Sequence, residues 1–136
     1  MVSVLTRLPR IVALLASVLL LGTVSCGDSP EEVFERMQKA AREGNAEVFA
    51  KCFNEESEPF ARALVSLQRT QASAAGPLSQ PLEKIAKSTI ESVKTEGELA
   101  YLTARNGQSS DVLVFKKEKA GWRLDIQLTE RRNAGN

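Results

Sequence analysis

The chain changes its hydrophobic period once. From Ser29 to Ser88 the apolar residues recur at helical spacing; from Thr89 onward they alternate between turn residues at short intervals. A run of helices followed by a run of strands points to an α+β domain in which the helices cover one face of a sheet. Ser29-Pro30-Glu31-Glu32 opens the first helix. Ser29 suits the cap, Pro30 the first helical position, and Glu32, three after the cap, closes a capping box. Val33, Phe34, Met37, Ala40 and Ala41 then form an apolar stripe, which Gly44-Asn45 ends. A second helix places Ala46, Phe49, Cys52 and Phe53 on one face. A third follows Pro59, with Phe60, Ala63, Leu64 and Leu67 on one stripe, and Gly76-Pro77 stops it. The small-residue stretch 71–81 reads as a helix end plus a loop, and a short helical turn spans 82–86.

Four strands follow, at 89–96, 98–105, 111–118 and 122–128, divided by Gly97, Asn106-Gly107 and Ala120-Gly121. In the last, Trp122, Leu124, Ile126 and Leu128 face one way, and Arg123, Asp125 and Gln127 the other. One sheet face is therefore buried and one wet. The expected fold is α+β, with N-terminal helices packed on a curved antiparallel sheet. Arg131-Arg132 falls in a polar tail at 130–136.

The N-terminus carries a different message. Arg7 and Arg10 precede Ile11–Leu21, which is apolar throughout except for Ser17. A secretory apolar core runs to roughly 7–15 residues, and a membrane span needs about 20. The segment therefore fits export better than permanent insertion. Thr23-Val24-Ser25-Cys26 resembles the lipobox of bacterial lipoproteins, with Thr23 where leucine is usual. That resemblance implies removal of 1–25 and acylation of Cys26 with palmitate-like chains, leaving 26–28 as anchor and tether and 29–129 as the folded domain. An ordinary signal cut nearby and a retained anchor are the other readings. Gly27, rather than aspartate, follows Cys26. For a lipoprotein this points to the outer membrane of a two-membrane cell, before the periplasmic face of the inner one; a one-membrane cell would display it outside. An acylated Cys26 leaves Cys52 a lone thiol, so no Cys26–Cys52 disulfide is expected.

Arg7 and Arg10 leave with the signal, so 16 of the 18 basic residues remain against 17 acids. That balance offers nucleic acid no basic face and anionic lipid no broad attraction. The chain has no histidine. The commonest general base, a common zinc ligand and every histidine-activated nucleophile are thus missing. No catalytic set, metal site or cofactor is expected.

Helices followed by a meander ending in Gly121-Trp122-Arg123-Leu124-Asp125 resemble the nuclear-transport-factor-2-like superfamily, and most of all its small bacterial lipoproteins. The carrying residues are 29–34, Ala41-Arg42-Glu43-Gly44-Asn45-Ala46-Glu47, and 112–126 with Phe115-Lys116-Lys117-Glu118. The resemblance implies a cone-shaped sheet that can enclose a cavity; ketosteroid isomerases and dehydratases share it with many binding and assembly modules. Fold likeness alone therefore leaves activity open. The dehydratase branch leans on histidine and does not fit. Isomerase-like chemistry would want a buried carboxylate and a tyrosine donor. Tyr101, the only tyrosine, is the candidate pocket residue. It points into a cone if Leu99 and Tyr101 line it, and outward if Ala100, Leu102 and Ala104 do.

Asp111 suits a turn at a strand start, and Asp125 the polar face of the last strand. Cys52 reads as buried packing rather than a reactive thiol, Trp122 as core, and Lys116, Lys117 and Lys119 as a charged hairpin tip. The expectation is a membrane-anchored envelope lipoprotein, non-enzymatic, acting by binding or assembly. It would hold the membrane through the lipid on Cys26 and meet a protein partner, or a second copy through its sheet. The alternative is a small-molecule carrier or isomerase-like enzyme using the cone, its ligand unspecified.

Overall fold

The computed structural model describes residues 28–71 and 80–135. The expected export signal and acylation site, within 1–27, and the expected Gly76-Pro77 stop lie outside the described residues. Among these residues the order is α1 (Pro30–Glu43), α2 (Ala46–Lys51), α3 (Glu58–Gln71), α4 (Gln80–Lys87), β1 (Thr89–Glu96), β2 (Leu99–Asn106), β3 (Ser109–Glu118), β4 (Gly121–Leu124) and α5 (Ile126–Ala134). The strands form one antiparallel meander, β1-β2-β3-β4. The α+β expectation holds at that level.

α1 forms as its sequence dictates. The Glu32 amide donates to Ser29 Oγ at 3.2 Å, and the Ser29 amide to Glu32 Oε2 at 3.1 Å. Gly44 ends the helix at φ +66°, a left-handed conformation that costs glycine little. Asn45 then caps α2 by accepting from the Val48 amide at 3.2 Å. Gln38 and Arg42 of α1 donate to the carbonyls of Ile85, Ser88 and Ala86, satisfying groups left open at the end of α4.

The core lies between these helices and the inner face of the sheet. Phe34, Met37 and Phe49 meet Leu102 and Phe115 there, all fully enclosed. The Phe49 and Phe53 rings lie 5.0 Å apart between centroids, tilted at 49°. A bulge between Ile90 and Ser92 in β1 rephases its alternation. Ile90 and Val93, an odd number of residues apart, thereby both pack against the core. Gly97 and Gly107 open the first two hairpin turns with φ of +61° and +63°, the conformation a two-residue turn asks of its first residue.

Four expectations are corrected. The fourth strand stops at Leu124 instead of running through 128. Asp125 caps a helix there, accepting from the Leu128 amide at 3.0 Å while its own amide donates to the Val114 carbonyl at 2.9 Å. Asp125 is buried rather than on a wet strand face. A short apolar run that alternates over so few positions does not separate strand from helix. The supposed polar tail is in large part that helix. The third helix also sits in a different rotation. Ala61 and Val65 are buried, Leu64 is half-buried, and Phe60 and Leu67 are 61% and 56% exposed. Ala61 and Val65 join the core, and Phe60 and Leu67 are turned outward.

α5 has a structural task. β4 is too short to pair with all of β3, which leaves the β3 edge bare at Val112 and Val114. Asn133 accepts from the Val112 amide at 3.1 Å and donates to the Val112 carbonyl at 2.9 Å. Thr129 Oγ1 accepts from the Val114 amide at 2.9 Å. Two side chains thus replace a missing strand. The free edge of β4 is covered by residues 52–54: Leu124 donates to the Cys52 carbonyl at 2.8 Å, and Asn54 donates to Leu124 at 2.9 Å.

Candidate functional site

One end of the molecule gathers the start of α1, the end of α2 and the β3–β4 hairpin. The bridge between residues 52–54 and β4 sets the end of α2 beside Trp122 and Arg123. A cleft of about 240 Å³ opens between them, walled by Val33, Val48, Cys52 and Trp122 and edged by Asp28, Arg36, Lys51 and Arg123. Arg36 and Arg123 are held in place. Arg36 pairs with Asp28, and Arg123 donates to the Lys51 carbonyl, which as one of the last carbonyls of α2 lacks a partner within the helix. The hydrogen bond that Arg36 donates to Asp28 raises the pKa of its guanidinium, against the opposing effect of burial.

A second cavity adjoins the first across Asp28 and Trp122, edged by Lys117, Glu118 and Lys119 with Thr95 behind. Lys117 and Trp122 are opposite one another in the β3–β4 ladder. The Lys117 Nζ lies 5.8 Å from the centroid of the Trp122 ring, within cation–π range. Together the two cavities are edged by five cations and two carboxylates, and one of those carboxylates is already paired.

Cys52 lies at the base of this cleft, only 1% exposed, its Sγ donating to the Val48 carbonyl at 3.3 Å. Burial pushes the thiol up to about 11, although Arg36 and Arg123 pull the other way. It is a protonated, packed thiol, as its place on the apolar stripe implies.

Tyr101 lies elsewhere. It is on the outer sheet face, opposite Val114, half-buried beneath Arg132 of α5, whose guanidinium carbon is 5.4 Å from the ring centroid. The larger set, Ala100, Leu102 and Ala104, faces the core. Tyr101 lines neither the two cavities beside Trp122 nor the one beneath α4. A cavity of about 180 Å³ opens between α4, α5 and the inner side of β3, with Asp111 and Asn133 on its edge. Asp111 there pairs with Lys84 at 2.5 Å. Asn133 is committed to β3 and to the Thr129 carbonyl.

Sequence reasoning placed Trp122 in the core and did not single out Arg36, Lys51 or Arg123. No spacing connects positions 36, 51 and 123; only the pairing of residues 52–54 with β4 brings them together. Among the described residues no group of three or more acidic or cysteine side chains is arranged to hold a metal ion. No helix there is long and apolar enough to cross a membrane. Comparison with protein-family models, curated proteins and solved structures finds no match.

Proposed function

We propose that the protein is a lipid-anchored envelope component that works by binding or assembly and not by catalysis, its cone-like domain held against a membrane by Cys26. The observation that carries this reading is the N-terminal pattern, in which Arg7 and Arg10, the apolar Ile11–Leu21 and Val24-Ser25-Cys26 follow in the order of an acylated export signal. Two acyl chains are needed for stable anchoring, and the lipoprotein modification supplies them. The nuclear-transport-factor-2-like resemblance belongs to the same proposal.

The exposed stripe on α3 supports the assembly part. Phe60 and Leu67 flank exposed Ala63 on the side turned from the core. Two large apolar side chains exposed on one helix face suit a contact with another protein. The stripe is more apolar than the outer sheet face, where Lys94 pairs with Glu96 at 2.8 Å and Arg105 with Glu91 at 2.5 Å. The carrier or isomerase-like alternative has less behind it. The cavity of about 460 Å³ beside Trp122 is large enough for a ligand, but Tyr101, the polar handle that this alternative needs, lines neither it nor the clefts of about 240 and 180 Å³.

Fractionation tests the anchor. Expressed in a bacterial host, the protein is expected in the detergent-extracted membrane fraction, and a Cys26→Ser variant is expected to lose processing. A wild-type chain recovered wholly in the soluble fraction would contradict the proposal.

A further inference from the structure

We infer that the cleft at the start of α1 is the membrane-facing side of the protein, and that it seats the phosphate-bearing headgroups of anionic phospholipids in the bilayer that holds the anchor. The inference rests on the anchored reading above. Only Gly27 stands between Cys26 and Asp28, and Asp28 lines both cavities. Three residue steps from Cys26 to the Ser29 cap reach at most roughly 10 Å. An acylated Cys26 therefore brings this end of the domain, and no other, down to the headgroups.

The side chains gathered there suit that setting. Trp122 is an amphipathic ring of the type that settles at the membrane interface. Lys117 stacks on it, and Lys51, Lys119 and Arg123 surround the same opening, with Arg36 engaged by Asp28. Lys51, Lys117 and Lys119 are exposed. Asp28 is neutralised by Arg36, Glu32 is turned back onto its own helix cap, and Glu118 is the one further carboxylate on the rim. The chain as a whole is close to neutral, so the attraction is local to this end, and the tether directs it at the bilayer. The walls of Val33, Val48 and Cys52 carry no charge, so the cations on the rim are the groups that take the phosphate.

Trp122 is the sole tryptophan and reports directly on the cleft. The lipidated protein, its Cys26 modification verified by intact mass, is reconstituted into vesicles of phosphatidylcholine alone or with phosphatidylglycerol. Quenching of Trp122 by acrylamide, a neutral probe, is then followed. The expected result is strong protection in the phosphatidylglycerol vesicles that is reversed by high salt and is weaker in phosphatidylcholine. A Lys51→Gln/Lys117→Gln variant is expected to lose the protection, each lysine weakening the contact about fivefold. Equal quenching in both vesicle types, with acylation verified, overturns the inference and leaves the anchor standing. A mass showing unmodified Cys26 overturns the anchor, and the inference with it. A parallel titration of the protein in detergent with glycerol phosphate identifies the source of the anion. Protection by that free phosphate equal to that in vesicles would overturn the lipid assignment.

Discussion

Cys52 shows how position decides chemistry at the scale of one residue. Its thiol is held up to about 11, first by burial. An unfolded cysteine titrates near 8.5. A folded value above the unfolded one means that the native state keeps its proton longer. The contribution is therefore complete below about pH 8 and is lost as the pH rises toward 11. Urea unfolding across that range is expected to show stability falling with pH, and the wild-type slope is expected to exceed that of Cys52→Ala. In the native protein near neutral pH, thiol reagents should modify Cys52 only after unfolding. Asp125 is the second case. Its carboxylate caps α5, so Asp125→Ala is expected to cost about 1 kcal/mol in chemical denaturation. The buried thiol was legible from the stripe it shares with Phe49 and Phe53. The cap was not, because Asp125 continues an alternation that Ile126 and Leu128 also satisfy.

At the scale of elements, local signals were legible and distant ones were not. Ser29 and Glu32 are three residues apart and cap α1 as their spacing requires. Asn133 and Val112 are separated by 21 residues, and nothing in either segment announces their pairing. The same holds for residues 52–54, which cover the edge of β4, and for the bulge that rephases β1. An uncovered strand edge is a template for association, and α5 removes one here. Asn133→Ala is expected to raise hydrogen exchange at the Val112 amide and to cost about 1–3 kcal/mol, since two backbone groups lose their partner. Unchanged exchange at Val112 would mean that α5 does not seal the edge in solution. The rotation of α3 follows the same logic. Ala61 and Val65 are four residues apart, as are Ala63 and Leu67, so helical spacing alone does not decide which pair is buried.

For the whole molecule, the order of helices before strands was plain from the change of period, and the site was not. A cleft assembled from positions 28, 36, 51, 117 and 123 exists only once the chain has folded. The same folding separates two surfaces, the cationic end at the start of α1 and the apolar stripe on α3. A Leu67→Ser change on that stripe is expected to shift folding stability by no more than about 0.5 kcal/mol, as exposed sites do, while reducing association in sedimentation. The most direct test of the anchored reading is the intact mass of the mature protein extracted from membranes. The expected mass lacks residues 1–25, carries a diacylglyceryl group and a further acyl chain at Cys26, and does not change on reduction. An unmodified mature chain, or a mass gain of two hydrogen atoms on reduction that reveals a Cys26–Cys52 disulfide, would contradict it.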